Sequence, residues 1–164
     1  MRFSSTSRLT VASGVTAGTY YETITATDSL GMTGTQSVTI LINAVVSVTG
    51  TSSFTATYGF ARTLDTFTAT GGTGTKTFAL SPGDSHMTIN SATGAITLDS
   101  TTASGTYNET ITATDSVGAS GTKAITIVVA SSISISDGSN VYATNGFAKY
   151  STAFTASNGT GTKT

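Results

Sequence analysis

Sliding this 164-residue chain along itself by 87 positions brings residues 1–77 onto 88–164 without a gap, and about 36 of the 77 pairs are identical. Residues 18–29 read GTYYETITATDS and residues 105–116 read GTYNETITATDS, differing only at Tyr21 against Asn108. Gly59-Phe60-Ala61 returns as Gly146-Phe147-Ala148, and Gly72–Thr77 returns as Gly159–Thr164. A duplication of this length constrains the fold more than any other feature. An 87-residue unit is domain-sized, so each copy is expected to close around its own core.

Inside the unit the apolar pattern has a period of two. In Tyr107–Thr114, Tyr107, Ile111 and Ala113 fall on one face while Asn108, Thr110, Thr112 and Thr114 fall on the other, as in a half-buried strand. Ile125, Ile127 and Val129 alternate likewise, as do Phe78 with Leu80, Met87 with Ile89, and Ile96 with Leu98. Threonine suits the outer face because its β-branched side chain packs well on a pleated surface. Between the runs lie Ser81–Asp84, Asn90–Gly94 and Asp115–Gly118, built of residues that close turns. No sustained helical stripe appears, so the spacing predicts an all-β chain of tandem sandwich repeats with almost no helix.

The strongly apolar strands Val38–Ile42 and Ile125–Val129 read as last strands of their units, followed by the short linkers Asn43-Ala44-Val45 and Ala130-Ser131-Ser132. Residues 44–130 are then one complete repeat. Residues 1–43 are the back part of a preceding repeat and 131–164 the front part of a following one. The core predicted for 44–130 comprises Phe67, Phe78, Leu80, Ile89, Ile96, Leu98, Tyr107, Ile111, Ala113, Ile125 and Ile127.

Composition removes several classes of function. Small hydroxyls are carried by 38 Thr and 23 Ser, whereas 9% of residues are charged against a usual level of about 25%. A formal charge of −1 offers no basic stripe for a polyphosphate, so nucleic acid is not an expected partner. Apolar runs such as Ile125–Ala130 fall far short of the roughly 20 residues that cross a bilayer, so no membrane insertion is expected. The absence of cysteine rules out disulfides, thiolate metal sites and thiol nucleophiles. Met1–Ser5 lacks the apolar core of a signal peptide, so any export signal is expected upstream or already removed. Abundant Thr, Ser and Gly with little charge is associated with secreted surface proteins, which points to an extracellular or cell-surface location.

The order Met87-x-Ile89-Asn90-Ser91-x-Thr93-Gly94-x-Ile96-Thr97, Gly105-Thr106-Tyr107, Ile111-x-Ala113-Thr114-Asp115-Ser116-x-Gly118 and Ile125-x-Ile127 resembles the cadherin-like and immunoglobulin-like tandem repeats of large bacterial surface proteins. The resemblance implies a β-sandwich and, in true cadherins, calcium held between domains by carboxylates. Calcium takes six to eight oxygen ligands. The stretch Leu41–Gly50 has no Asp or Glu and Ala130–Ser139 has only Asp137, so a calcium joint, and any other cofactor, is disfavoured.

Asp28 and Asp115 occupy the same position in their units, before Ser-x-Gly, and are the only weak metal candidates. One carboxylate per unit does not make a cage, and a turn whose carboxylate accepts backbone N–H groups is the stronger reading. Glu22 and Glu109 fall on the inward parity. Beside Lys76 or Lys123 such a glutamate would promote an isopeptide crosslink; the ordinary reading is that Glu109 reaches water or a lysine near the start of its strand. His86 is the only histidine, is expected in an exposed loop, and supports neither a histidine metal centre nor a nucleophile relay. Gly71–Thr77 lacks the spacing of a phosphate loop and reads as a turn. Tyr21, Tyr58, Tyr142 and Tyr150 are the loose candidates for stacking on a sugar, the other aromatic residues falling mostly at core positions.

Three functions compete. The first is a stalk or spacer repeat of an adhesin-like surface protein, with neighbouring repeats of the same or another chain as its partners. The second is a direct binding module for a glycan or a surface protein, read on the divergent stretches 50–58 and 62–66 against 137–145 and 149–153. An enzyme is third and fails for want of an assembled nucleophile and base, a paired-carboxylate glycosidase being its remaining form. A further alternative is head-to-tail filament assembly, in which residues 131–164 of one chain complete residues 1–43 of the next along exposed strands such as Val38–Ile42.

Overall fold

The computed structural model describes residues 7–136, 144–147 and 153–164. The described residues contain strands and turns but no helix. In chain order the strands are β1 (Gly18–Thr27), β2 (Thr33–Ile42), β3 (Ser47–Thr49), β4 (Ser53–Thr57), β5 (Arg62–Thr66), β6 (Thr68–Thr70) and β7 (Thr77–Ser81). There follow β8 (Met87–Ile89), β9 (Ala95–Leu98), β10 (Gly105–Thr114), β11 (Ser120–Ala130), β12 (Ser134–Ser136) and β13 (Thr155–Ser157).

Strands β3 to β11 build a sandwich. One layer is the four-stranded sheet β4-β11-β10-β7, and the other is made by the three-stranded sheet β5-β9-β8 with the β3-β6 pair. The long hairpin β10–β11 sets the register, placing Tyr107 opposite Ile127 and Glu109 opposite Ile125. Strand β7 joins antiparallel with Phe78 opposite Ala113, and β4 joins parallel with Phe54 opposite Ile127. In β5 the pairing with β9 slips at Leu64, where one extra residue lies between Thr63 and Asp65.

The core lies between the layers. Phe67, Phe78, Ile96, Leu98, Ile111, Ala113, Ile125 and Ile127 are buried as the alternation predicts, while Leu80, Ile89 and Tyr107 are half-buried against them. Val46, Val48, Ala56, Met87 and Val129 complete the core. Each fully buried large apolar side chain contributes about 1.5–3 kcal/mol relative to exposure. The stretch predicted as a linker at 43–45 does more than connect, because the Ala44 carbonyl accepts the Gly72 N–H at 2.6 Å and Val46 is already in the core.

The turns follow their residue types. In the β8–β9 turn the Asn90 side chain accepts the N–H groups of Ala92 and Thr93, and Gly94 closes the turn at φ +75°. Its carbonyl takes the Phe67 N–H at 2.9 Å, fixing Phe67 against this hairpin.

Strands β1 and β2 form a separate two-stranded hairpin, and β12 and β13 pair as another two-stranded sheet. Gly18 faces Ile42 as Gly105 faces Val129, and Ser134 faces Ser157 as Ser47 faces Thr70. Both outer pairs therefore carry the pairing of their counterparts in the sandwich.

Candidate functional site

The most constrained polar group is Asp115, at the end of β10. Its Oδ1 accepts the N–H groups of Val117 at 3.0 Å and Ala119 at 2.8 Å, closing the turn into β11. Its Oδ2 accepts the Thr73 N–H at 2.7 Å, in the loop that leads from β6 into β7. Ser116 completes the link by donating its N–H and its hydroxyl to the Thr73 carbonyl. The Thr73 N–H, followed by those of Val117, Ala119 and Gly118, holds the Asp115 carboxyl below the usual carboxylate range, against the opposing effect of desolvation.

The glycine loop is shaped for this contact. Gly72 has φ +60°, and a Cβ there would lie 2.6 Å from Val46 Cγ2 and 2.8 Å from Asp115 Oδ2. The loop that superficially matches a phosphate cradle thus offers its N–H to a carboxylate of the same chain. The two longest identical runs of the duplication, Glu22–Ser29 with Glu109–Ser116 and Gly72–Thr77 with Gly159–Thr164, are the two stretches that this link joins. Their pairing was not legible locally, since Thr73 and Asp115 lie 42 positions apart; their joint recurrence was the available signal.

Asp28 makes the same turn, with Oδ1 accepting the N–H groups of Leu30 at 2.9 Å and Met32 at 2.8 Å. Asp28 is exposed. Among the described residues its Oδ2 receives no donor corresponding to Thr73. No group of three His, Asp or Glu side chains that could hold a metal ion occurs among the described residues.

Glu109 departs from its expected setting. It is buried, and its Oε2 accepts the Gly83 N–H at 2.9 Å, so the carboxylate reaches a turn backbone rather than water or a lysine. Lys76 donates to the Gly74 carbonyl, and the described residues contain no ion pair between a lysine and a glutamate. Glu109 therefore ties the 81–84 turn to β10. Glu22, at the same position of β1, is exposed.

His86 is partly exposed and sits beside Asp99 and Thr101. Its Nδ1 lies 3.1 Å from Asp99 Oδ2 and 3.0 Å from Thr101 Oγ1, and Thr101 Oγ1 donates to Asp99 Oδ1 at 2.7 Å. The Thr101 hydroxyl, with the Thr101 N–H and His86, holds the Asp99 carboxyl at about 2 in spite of desolvation. A nucleophile relay needs the hydroxyl on one ring nitrogen and the carboxylate on the other. Here both meet Nδ1, so the cluster pins the loop after β9 to the start of β8.

Tyr21 is strongly exposed and Tyr58 moderately so, whereas Tyr142 and Tyr150 lie outside the described residues, as does Asp137. A concave apolar surface lies on β1–β2. Leu9, Val11 and Val15 flank a groove floored by Tyr20, Ile24 and Ile40.

No family model matches the chain. No curated protein matches it either. Among solved structures it is similar to mouse cadherin-23 EC22–24, with a TM-score of 0.45 and 20% identity over 70% of this chain and 43% of that one. It is also similar to the protocadherin gamma B2 extracellular cadherin domains 1–5, with a TM-score of 0.43 and 15% identity over 72% of this chain and 33% of that one. The chain thus spans less than half the length of either.

Proposed function

We propose that residues 44–130 are one complete sandwich repeat of an extracellular, adhesion-type protein, with 1–43 the back part of one neighbouring repeat and 131–164 the front part of another. The unit acts as a stalk or spacer, without catalysis, in a large surface protein of the bacterial kind. Its partners are neighbouring repeats. One observation carries this reading: two hairpins of nearly the same sequence and the same register occur in one chain, and β10–β11 is enclosed by the strands of residues 47–98. Asp115 and Glu109, which recur as Asp28 and Glu22, close a turn and tie loops to β10, as a load-carrying spacer requires. Asp28 and Asp115 serve this reading as turn formers rather than calcium ligands.

Stretching the chain by single-molecule force spectroscopy tests it. A spacer repeat of 87 residues releases one contour step of about 300 Å, less its folded end-to-end distance, at roughly 3.6 Å per residue. Many small steps without that event, or turnover in a hydrolase screen abolished by His86→Ala, would contradict the spacer role.

A further inference from the structure

We propose that the Gly59-Phe60-Ala61 turn is the seat on which the following repeat docks, so that side chains and not a metal set the angle between successive repeats. This rests on the repeat reading above and names the partner surface, which is the linker and glycine loop that open the next repeat of the same polypeptide.

Among the phrases that return in the duplication, the Asp115–Thr73 link joins Glu109–Ser116 with Gly72–Thr77. Gly59-Phe60-Ala61 is left without a role. Phe60 is 68% exposed and takes no part in the core, so packing within its own repeat does not account for its return as Phe147. The turn keeps its backbone shape too, with Gly59 at φ +95° and Gly146 at φ +87°.

The turn stands where the chain leaves the sandwich. The Tyr58 N–H donates to the carbonyl of Ala130, the last residue of β11, at 2.8 Å, and the Gly59 N–H donates to the Ser100 carbonyl at 3.2 Å. A repeat that continues from Ala130 therefore starts beside Phe60. Thr57, Phe60 and Arg62 from the sandwich line a cavity of about 290 Å³ together with Ile133, Gly159 and Thr160. The Thr57 and Thr160 hydroxyls are hydrogen-bonded across it at 3.0 Å.

The receiving loop is the same at both joints of the chain. Gly72 donates its N–H to the Ala44 carbonyl at 2.6 Å, and Gly159 donates to the carbonyl of Ser131, the counterpart of Ala44, at 2.7 Å. Each linker is thus pinned to the glycine loop of the repeat it enters. The next residue of the loop then takes a side chain of the preceding repeat: Thr73 Oγ1 accepts from Asn43 Nδ2 at 2.9 Å, and Thr160 Oγ1 meets Thr57 Oγ1. None of these contacts uses a carboxylate. A short linker held at its own carbonyl and again through the loop beyond it has lost much of its torsional freedom.

The chain has no cysteine, so spin labels attach only where cysteines are introduced. Pulsed dipolar EPR is run on the full chain labelled at Ala92→Cys and Ala156→Cys, on either side of the joint. A control pair, Ala92→Cys with Thr122→Cys, lies within the sandwich; all three positions are exposed. The joint pair is expected to give one narrow distance, the same in EDTA and in millimolar Ca²⁺. Phe60→Ser and Thr160→Ala are each expected to abolish that narrow distance in favour of a broad distribution, while the control pair stays narrow. Phe60 is exposed, so its replacement leaves the sandwich folded. A joint pair that is broad in the otherwise unchanged chain, that narrows only with calcium, or that ignores Phe60→Ser would overturn the proposal. A broad control pair would show instead that the repeat reading itself fails, and the proposal with it.

Discussion

Asp115 and Asp28 carry the same side chain on the same turn and differ in what the second carboxylate oxygen meets. Asp115 joins the turn to the Thr73 loop between β6 and β7, whereas Asp28 closes only its own turn. Replacing Asp115 by Ala leaves three backbone N–H groups without that acceptor, a heavier loss than an exposed turn suffers. Asp115→Ala is therefore expected to lower the thermal midpoint of the dilute chain clearly, and Asp28→Ala hardly at all; equal shifts would contradict the role of Asp115 in holding the Thr73 loop. Asp99, Asp65 and Asp115 all have carboxyls held below their ordinary values, by hydrogen bonds from Thr101, Thr51 and Thr73 respectively as the largest causes. A depressed folded pKa gives stability that is present above the unfolded value, about 3.9 for Asp, and is lost as the pH falls through the folded value. Thermal midpoints are expected to drop between about pH 4 and pH 2, with a smaller drop in Asp99→Asn. An unchanged midpoint across that window would refute it. The Asp115 turn was legible because Asp-Ser-x-Gly writes an Asx turn locally. The buried setting of Glu109 was half legible: strand parity pointed it inward, but its partner Gly83 is set by how the 81–84 turn folds over β10.

At the scale of elements, period-two alternation located the long strands, because one face of each meets the core and the other meets water. It was less informative for β3 and β6, which are three residues long, and Val46 and Val48 are not among the core residues that the alternation predicts. Tertiary packing decides those positions. The same limit applies to β1, whose sequence reads as a half-buried strand although its Ile24 is exposed. Alternation records which face is apolar and not whether a partner covers it. Ile111→Ala is expected to cost about 2–5 kcal/mol in denaturant unfolding. Ile24→Ala in the dilute chain is expected to cost less than about 0.5 kcal/mol, as for an exposed site. Similar costs at the two positions would mean that the hairpins share one environment.

For the whole molecule, the duplication made the architecture readable. Once residues 1–77 matched 88–164, a strand assigned in one copy applied to the other, and the observed registers of β1–β2 and β10–β11 agree position by position. What the duplication left open was which copy is enclosed, since that depends on strands β3 to β9. With turn carboxylates engaged by backbone N–H groups, thermal midpoints in excess EDTA and in millimolar Ca²⁺ are expected to coincide; a rise of several degrees with calcium would show native-state binding and return Asp28 and Asp115 as ligands. The most direct test follows amide hydrogen exchange in the dilute full chain and compares peptides covering 18–27 with those covering 105–114. The sequences are nearly identical, so intrinsic exchange rates nearly cancel, and an isolated two-stranded hairpin is marginal while a packed one is not. If 44–130 is the self-contained repeat, β10 exchanges orders of magnitude more slowly than β1. Equal protection of the two strands at low concentration would contradict it.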